Sequence, residues 1–214
     1  MPQHVQTITV DSGFGVTTHN LFFYHDEPRA NRLLVLLPGR GYTTEHPLLY
    51  YLRKMGFERG YDVLSVEYGF QVNNTDLVPE NITYLQQDVA DAVAPVFERG
   101  YEHICITGKS LGTPLAAELA RKNATDGVSL IQLTPIGGAM HGLGDIRTLA
   151  VIGTADSLYS AEMVEAFRES ATVRWHVFEG LNHSLEYEGN WEKSLDSLRE
   201  IMTICAEFLA ACHE

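Results

Sequence analysis

The order of apolar segments predicts a doubly wound α/β domain: a mostly parallel central sheet of about eight strands, opened by an antiparallel hairpin and flanked by helices on both faces. Three observations carry that reading. From residue 33 onward, short strand-like runs alternate with helix-length stretches, the pattern of successive β-α-β units. The run LLVLLPG at 33–39 is continuously apolar up to a turn signal, as a strand covered on both faces must be. The 214 residues are 45% hydrophobic, enough for one domain spanning 1–214 with a sizeable core.

Each element has a local reason. Alternating segments near His4–Val10 and Val16–His25 are joined by DSGFG, whose glycines and Asp11 suit a hairpin connection. The polar DEPRAN separates them from LLVLLPG. A helical stretch at about 45–59 then leads to the strand YDVLSVEYG at 61–69, a helix at 81–98 to HICITG, and a helix at 111–122 to VSLIQLTP at 128–135. The strand TLAVIGTAD at 148–156, a helix at 161–170, the strand TVRWHVFEG at 172–180 and a long helix at about 190–211 complete the chain. On that last helix Trp191, Leu195, Leu198, Met202, Cys205 and Leu209 recur at steps of four and three, which predicts one face packed on the sheet. Only the twelve residues 136–147 separate two of the strands, too few for an inserted lid domain.

Composition narrows the function classes. With 15 basic against 28 acidic residues the formal charge is −13, which argues against nucleic acid and anionic membrane surfaces as partners. The amino-terminal MPQHVQTITV has no basic region followed by an apolar core, and no apolar run approaches the roughly 18 residues of a membrane span, so a cytoplasmic location is expected. Cys205 and Cys212 stand seven residues apart on a helix, about 10 Å along its axis, too far for a disulfide. Free, packed thiols are expected there and at Cys105. No C-x-x-C or H-E-x-x-H pattern occurs, so no metal is expected.

The chemistry-bearing stretch is HICITGKSLGTPL at 103–115. A phosphate-binding loop would need glycine where His103 stands, and the residues between His103 and Gly108 form a strand, with no room for a cradle. Read from Gly108, GKSLG fits G-x-S-x-G, a sharp strand-to-helix turn holding Ser110 at the bend. Pro114 is tolerated in the first helical turn, where its missing N–H is not needed. A serine hydroxyl becomes a nucleophile only beside a base, and the base needs an orienting acid. Functional residues of a doubly wound sheet sit just after the carboxyl ends of strands. Asp156 in GTAD follows one strand, 46 residues after the serine, and His183 in GLNHS follows the last strand, another 27 on. Taken alone, Asp156 is equally a helix cap near Ser160 or a turn residue. His183 competes with His176, which lies inside a strand, and His141, in a glycine-rich loop. Glu67, ending SVEYG, is the alternative acid.

The order Ser, Asp, His, with these spacings, resembles the α/β-hydrolase superfamily, specifically its small, lidless bacterial members, over nearly the whole chain. The resemblance rests on Ser110 in GKSLG, Asp156 in GTAD, His183 in GLNHS and the turn PGRGY at 38–42. It implies the α/β-hydrolase fold and a carboxylesterase-like serine hydrolase in which Ser110 forms an acyl-enzyme, His183 acts as base and Asp156 orients it, without a cofactor. It also implies an oxyanion hole of two backbone N–H groups, one from Leu111 and one from Arg40, or else Gly39 or Gly41; the lipase-type HGGG pattern is absent. Loop position assigns pocket roles to Gly39, Gly41, Tyr42, Tyr68, His141 and Tyr159. The missing lid favours small, water-soluble esters or thioesters as substrates. Arg40 would suit an anionic substrate, whereas the residue before an elbow serine, here Lys109, commonly points away from the pocket in this family. The same residues would serve a thioesterase or acyltransferase, and a noncatalytic small-ligand binder on this scaffold is the reading from another class. The oligomeric state is not set by the sequence.

Overall fold

The computed structural model describes residues 4–125 and 127–212. The first three residues of the amino-terminal stretch, residue 126 and the last two residues, including those ends of the expected 1–214 domain, lie outside that range. The chain forms two compact units, Met1–Ile104 and Cys105–Glu214.

In the first unit, β1 (His4–Asp11) and β2 (Thr17–Tyr24) pair antiparallel with His4 opposite Tyr24 and Asp11 opposite Thr17. The turn between them is closed by the Ser12 N–H donating to the Val16 carbonyl at 2.8 Å. β3 (Arg32–Leu37) runs parallel to β4 (Asp62–Ser65), whose other edge takes β2 antiparallel. Leu33 to Leu37 are fully buried, as expected of a strand covered on both faces. Helix α1 (Pro47–Glu58) starts on a proline and buries Leu48, Leu49, Leu52 and Gly56 along one side. A short helix, α2 (Gly69–Val72), and a 3₁₀ turn at Pro79–Asn81 precede α3 (Ile82–Phe97). Buried Asp88 on α3 accepts from Ser12 Oγ and from the Gly13 N–H at 3.2 Å, tying the hairpin turn to the helix.

The second unit continues the β-α-β pattern. Strand β5 (His103–Lys109) enters it at Cys105, followed by α4 (Gly112–Lys122), β6 (Val128–Leu133) and β7 (Arg147–Gly153). Then come α5 (Ala161–Glu165), β8 (Val173–Phe178) and α6 (Trp191–Ala211). β6 is parallel to β7, with Leu130 opposite Thr148, and β7 to β8, with Val151 opposite His176. Leu130, Ile131, Leu149 to Ile152, Ile201, Cys205 and Leu209 form this unit's buried core. Along the sheet the eight strands follow the order β1-β2-β4-β3-β5-β6-β7-β8, the mostly parallel arrangement with an antiparallel start that the segment order predicts.

Several boundaries differ from expectation. β7 stops at Gly153, so Asp156 lies in the loop beyond the strand and not at its last residue. α5 is one turn at 161–165 instead of a helix to 170, capped by Ser160 Oγ accepting from the Met163 N–H at 3.1 Å. It buries none of its residues, and without a packed face a helix this short has little to extend it. The apolar stripe on α6 is also only partly inside. Trp191 is 71% and Leu195 56% exposed, while the buried residues are Ser197, Ile201, Cys205, Phe208 and Leu209. At about 100° per residue Leu195 stands about 120° round the helix from Ile201, beyond the packed face, whereas Trp191 shares its angle with buried Leu209, 18 residues on, and is exposed as the first residue of the helix. Ser197 is accommodated inside because its hydroxyl donates to the Lys193 carbonyl at 3.2 Å. Between β6 and β7, residues 134–146 form turns and no helix, so this span holds no lid domain.

Candidate active site

Three loops of the second unit, after β5, β7 and β8, bring Ser110, Asp156 and His183 together. Ser110 stands at φ 50°, a left-handed conformation uncommon for any residue but glycine. The turn is held by the Ser110 N–H donating to the Leu133 carbonyl at 2.9 Å and by the Thr113 N–H and hydroxyl donating to the Ser110 carbonyl at 2.8 and 2.6 Å. Gly108 makes it possible: a Cβ there would lie 2.4 Å from the Gly112 carbonyl oxygen and 2.6 Å from the Thr113 Cα, so strand and helix could not come this close.

His183 Nε2 lies 2.7 Å from Ser110 Oγ, and His183 Nδ1 2.7 Å from Asp156 Oδ2. A carboxylate only accepts, so Nδ1 carries the proton and Nε2 is free to accept from the serine hydroxyl. Asp156 is buried and its Oδ1 accepts from the Leu158 N–H at 2.9 Å, which fixes the carboxylate plane; the imidazole is partly open to solvent. The carboxylate bonded to His183 is thus Asp156; Glu67 in the first unit accepts from the His19 N–H at 2.9 Å. His176 lies half-buried within β8, its proton affinity lowered by burial and by neighbouring Arg174.

Two residues that shape predicted turns escaped the sequence reading. Asn182 Oδ1 accepts from the Ser184 and Glu186 N–H groups at 2.9 and 3.2 Å, folding the loop tightly around His183; the Asn-His pair in GLNHS was the available signal. Gln71 donates from Nε2 to the carbonyls of Gly39 and Arg40, both at 2.8 Å, and so sets the peptide planes of the 38–42 turn. Nothing in the sequence marks a glutamine on an unanticipated short helix for that task.

The remaining predicted residues occupy varied surroundings. The Leu111 N–H, at the amino end of α4, has no hydrogen-bond partner among the described residues. In the first unit's turn, the Gly39 N–H is committed to the Tyr42 carbonyl at 2.8 Å, whereas those of Arg40 and Gly41 have no partner among the described residues. The Arg40 side chain is exposed and reaches Asp76 at 3.3 Å, an acid that offsets its charge. Tyr42 is buried, its hydroxyl accepting from the Leu48 N–H at 3.0 Å as a cap for α1. Tyr68 is fully enclosed beside Phe70 with an unpartnered hydroxyl, whose ionisation burial strongly opposes. His141 is exposed in the β6–β7 loop, and Tyr159 is half-buried with its N–H donating to the Asp156 carbonyl at 3.0 Å.

Cavities open among the described residues of the first unit. One of about 390 Å³ at the carboxyl ends of β3 and β4 is lined by residues including Pro38, Thr43, Glu67 and Gln71. Another of about 890 Å³ is lined by Phe23, Tyr50 and Phe57 with several cations, Arg29, Arg53 and Arg59 among them. None of the predicted pocket residues lines either. Among the described residues no cluster of His, Cys, Asp and Glu could hold a metal ion, and no helix is long and apolar enough to cross a membrane. Cys105, Cys205 and Cys212 are free.

The fold has many solved counterparts. A dienelactone hydrolase from Anabaena variabilis superimposes with a TM-score of 0.68 at 15% identity, over 98% of this chain and 98% of that one. An alpha-beta serine hydrolase homologue from Coxiella burnetii gives 0.67 at 19%, over 92% and 94%. A serine hydrolase without a lid from Xanthomonas campestris gives 0.64 at 15%, over 92% of each chain. At these identities the likeness is one of fold. No curated protein matches the chain. The sequence model of the alpha/beta hydrolase domain matches residues 30–210, a span holding Ser110, Asp156 and His183, and the chain belongs to that family.

Proposed function

We propose that the protein is a serine hydrolase cleaving small carboxylic esters or thioesters through an acyl-enzyme on Ser110. The observation that carries this is the unbroken Asp156–His183–Ser110 chain of 2.7 Å contacts ending on a serine in a strained turn. His183 Nε2 takes the hydroxyl proton as Ser110 Oγ bonds to the substrate carbonyl carbon. Asp156 stabilises the imidazolium. The Leu111 N–H receives the developing oxyanion, and the Arg40 N–H enters as second donor on the resemblance alone. The imidazolium then protonates the leaving alkoxide or thiolate. Water, deprotonated by His183, attacks the acyl carbon, and Ser110 regains its proton. No step requires a cofactor. Turns in place of a lid favour short acyl groups, and the charge of −13 favours a cytoplasmic protein without nucleic-acid or membrane partners.

Hydrolysis of p-nitrophenyl acetate, butyrate and octanoate tests the proposal. Wild type should turn over the two short esters fastest and be labelled by a fluorophosphonate probe. Ser110→Ala should lose about 10⁴-fold or more in kcat and all labelling. A wild type neither labelled nor active on any of the three would falsify the reading.

A further inference from the structure

Lys109 immediately precedes Ser110, yet its side chain is turned inward and only 1% exposed. Nζ donates to Thr134 Oγ1 at 2.7 Å and to the His183 main-chain carbonyl at 2.8 Å. We propose that Lys109 is a positioning residue whose ammonium holds the His183 main chain, and with it the imidazole, in register with Ser110 and Asp156, and that loss of its proton loosens that hold. This rests on the serine-hydrolase reading of the same site.

The geometry fixes Lys109 as the donor. Thr134 gives its own hydroxyl proton to the Leu133 carbonyl at 2.8 Å, so it can only accept from Lys109, and the His183 carbonyl likewise only accepts. The ammonium and the neutral amine each have N–H groups for both acceptors; the positive charge makes the ammonium the stronger donor. Charge-assisted bonds are roughly twice as strong as neutral ones. Thr134 itself stands at φ 49°, an outlier for a β-branched residue, with its N–H fixed to the Val151 carbonyl at 2.7 Å. Strain is thus retained at the residue that receives the lysine.

Groups from several elements meet the ammonium. The end of β6 brings uncharged Thr134, the loop after β8 brings His183, and the loop after β7 brings Asp156, whose carboxylate attracts it. Burial draws the lysine's pKa down to about 8, against that attraction. At neutral pH the cation is present. As pH rises through about 8 it is lost, and kcat should fall there.

The test compares wild type, Lys109→Met, which keeps the stem without the donors, and Lys109→Arg, which keeps charge and donors. Readouts are kcat and KM for p-nitrophenyl acetate from pH 6 to 10, and the NMR signal of the His183 Nδ1 proton. Lys109→Met should lose about tenfold or more in kcat with KM nearly unchanged, show no alkaline limb, and have a broadened or missing Nδ1 proton signal. Lys109→Arg should recover part of the rate and stay active above pH 8. A wild type whose kcat stays level above pH 8, or a Lys109→Met variant with wild-type kcat and Nδ1 signal, overturns the proposal. Should Lys109→Met not fold, the wild-type profile alone decides. Should wild type prove inert to ester and probe, the hydrolase reading fails separately, and the Nδ1 signal decides: its persistence in Lys109→Met rejects the positioning role and its loss supports it.

Discussion

Gly153 is the residue on which the site's geometry turns. A Cβ there would lie 2.0 Å from the Leu181 carbonyl oxygen, which accepts from the Ala155 N–H at 3.0 Å. That close crossing pins the loop carrying Asp156 to the loop carrying His183. Gly153→Ala must push the loops apart, and we expect kcat to fall about 10²-fold from misplacement of the His-Asp pair, with a stability loss of about 1–3 kcal/mol. Ester hydrolysis and urea unfolding of the variant check both. Ser110, Asp156 and His183 were legible in the sequence because each follows a strand, and this fold delivers strand ends to one edge. Gln71 and Thr134 were not, because one acts through bonds to the Gly39 and Arg40 carbonyls and the other by accepting from Lys109, contacts that only the folded chain brings together; Asn182 left a signal in the Asn-His pair.

Among the elements, α6 distinguishes an apolar pattern from a packed face. Leu195 and Ile201 look alike in sequence, but Leu195 is 56% exposed and Ile201 fully buried. Ile201→Ala should cost about 2–5 kcal/mol in chemical denaturation, and Leu195→Ala within about 0.5 kcal/mol. Equal losses would place the helix in the rotation its apolar stripe suggests. The shortened α5 follows the same logic in reverse: its residues are acceptable helix formers, yet none is buried, so one capped turn is all that persists.

Over the whole molecule, buried titratable groups set the alkaline stability. Burial raises the thiols of Cys105 and Cys205, the latter to about 12, so above their ordinary value of 9.0 the unfolded chain releases protons that the folded chain retains, and stability falls as pH rises. Lys109 has the opposite sign. Its folded pKa of about 8 lies below its ordinary 10.5, so between those values the unfolded chain binds the extra proton and this group's contribution to stability rises with pH. The comparison of wild type with Lys109→Met cancels the thiol contribution. We expect wild type to gain stability relative to the variant from pH 8 to 10.5, by up to roughly 3 kcal/mol, read from denaturant midpoints at successive pH values. A constant difference would mean that the lysine is not desolvated in the folded protein.

The sequence was sufficient for the alternation of strands and helices, the antiparallel start, the absence of a lid and the order of the three site residues. Those follow from hydrophobic periodicity and from turn residues, which act over a few neighbours. Which way side chains face was decided only by tertiary packing. Lys109 could be expected to avoid the substrate, but not to lie under the His183 carbonyl. Tyr42 and Tyr68 sit on loops near strand ends, yet one caps a helix and the other is enclosed. Loop position fixes where a residue is; the contacts made when distant segments close on it fix what it touches, and no local pattern contains those.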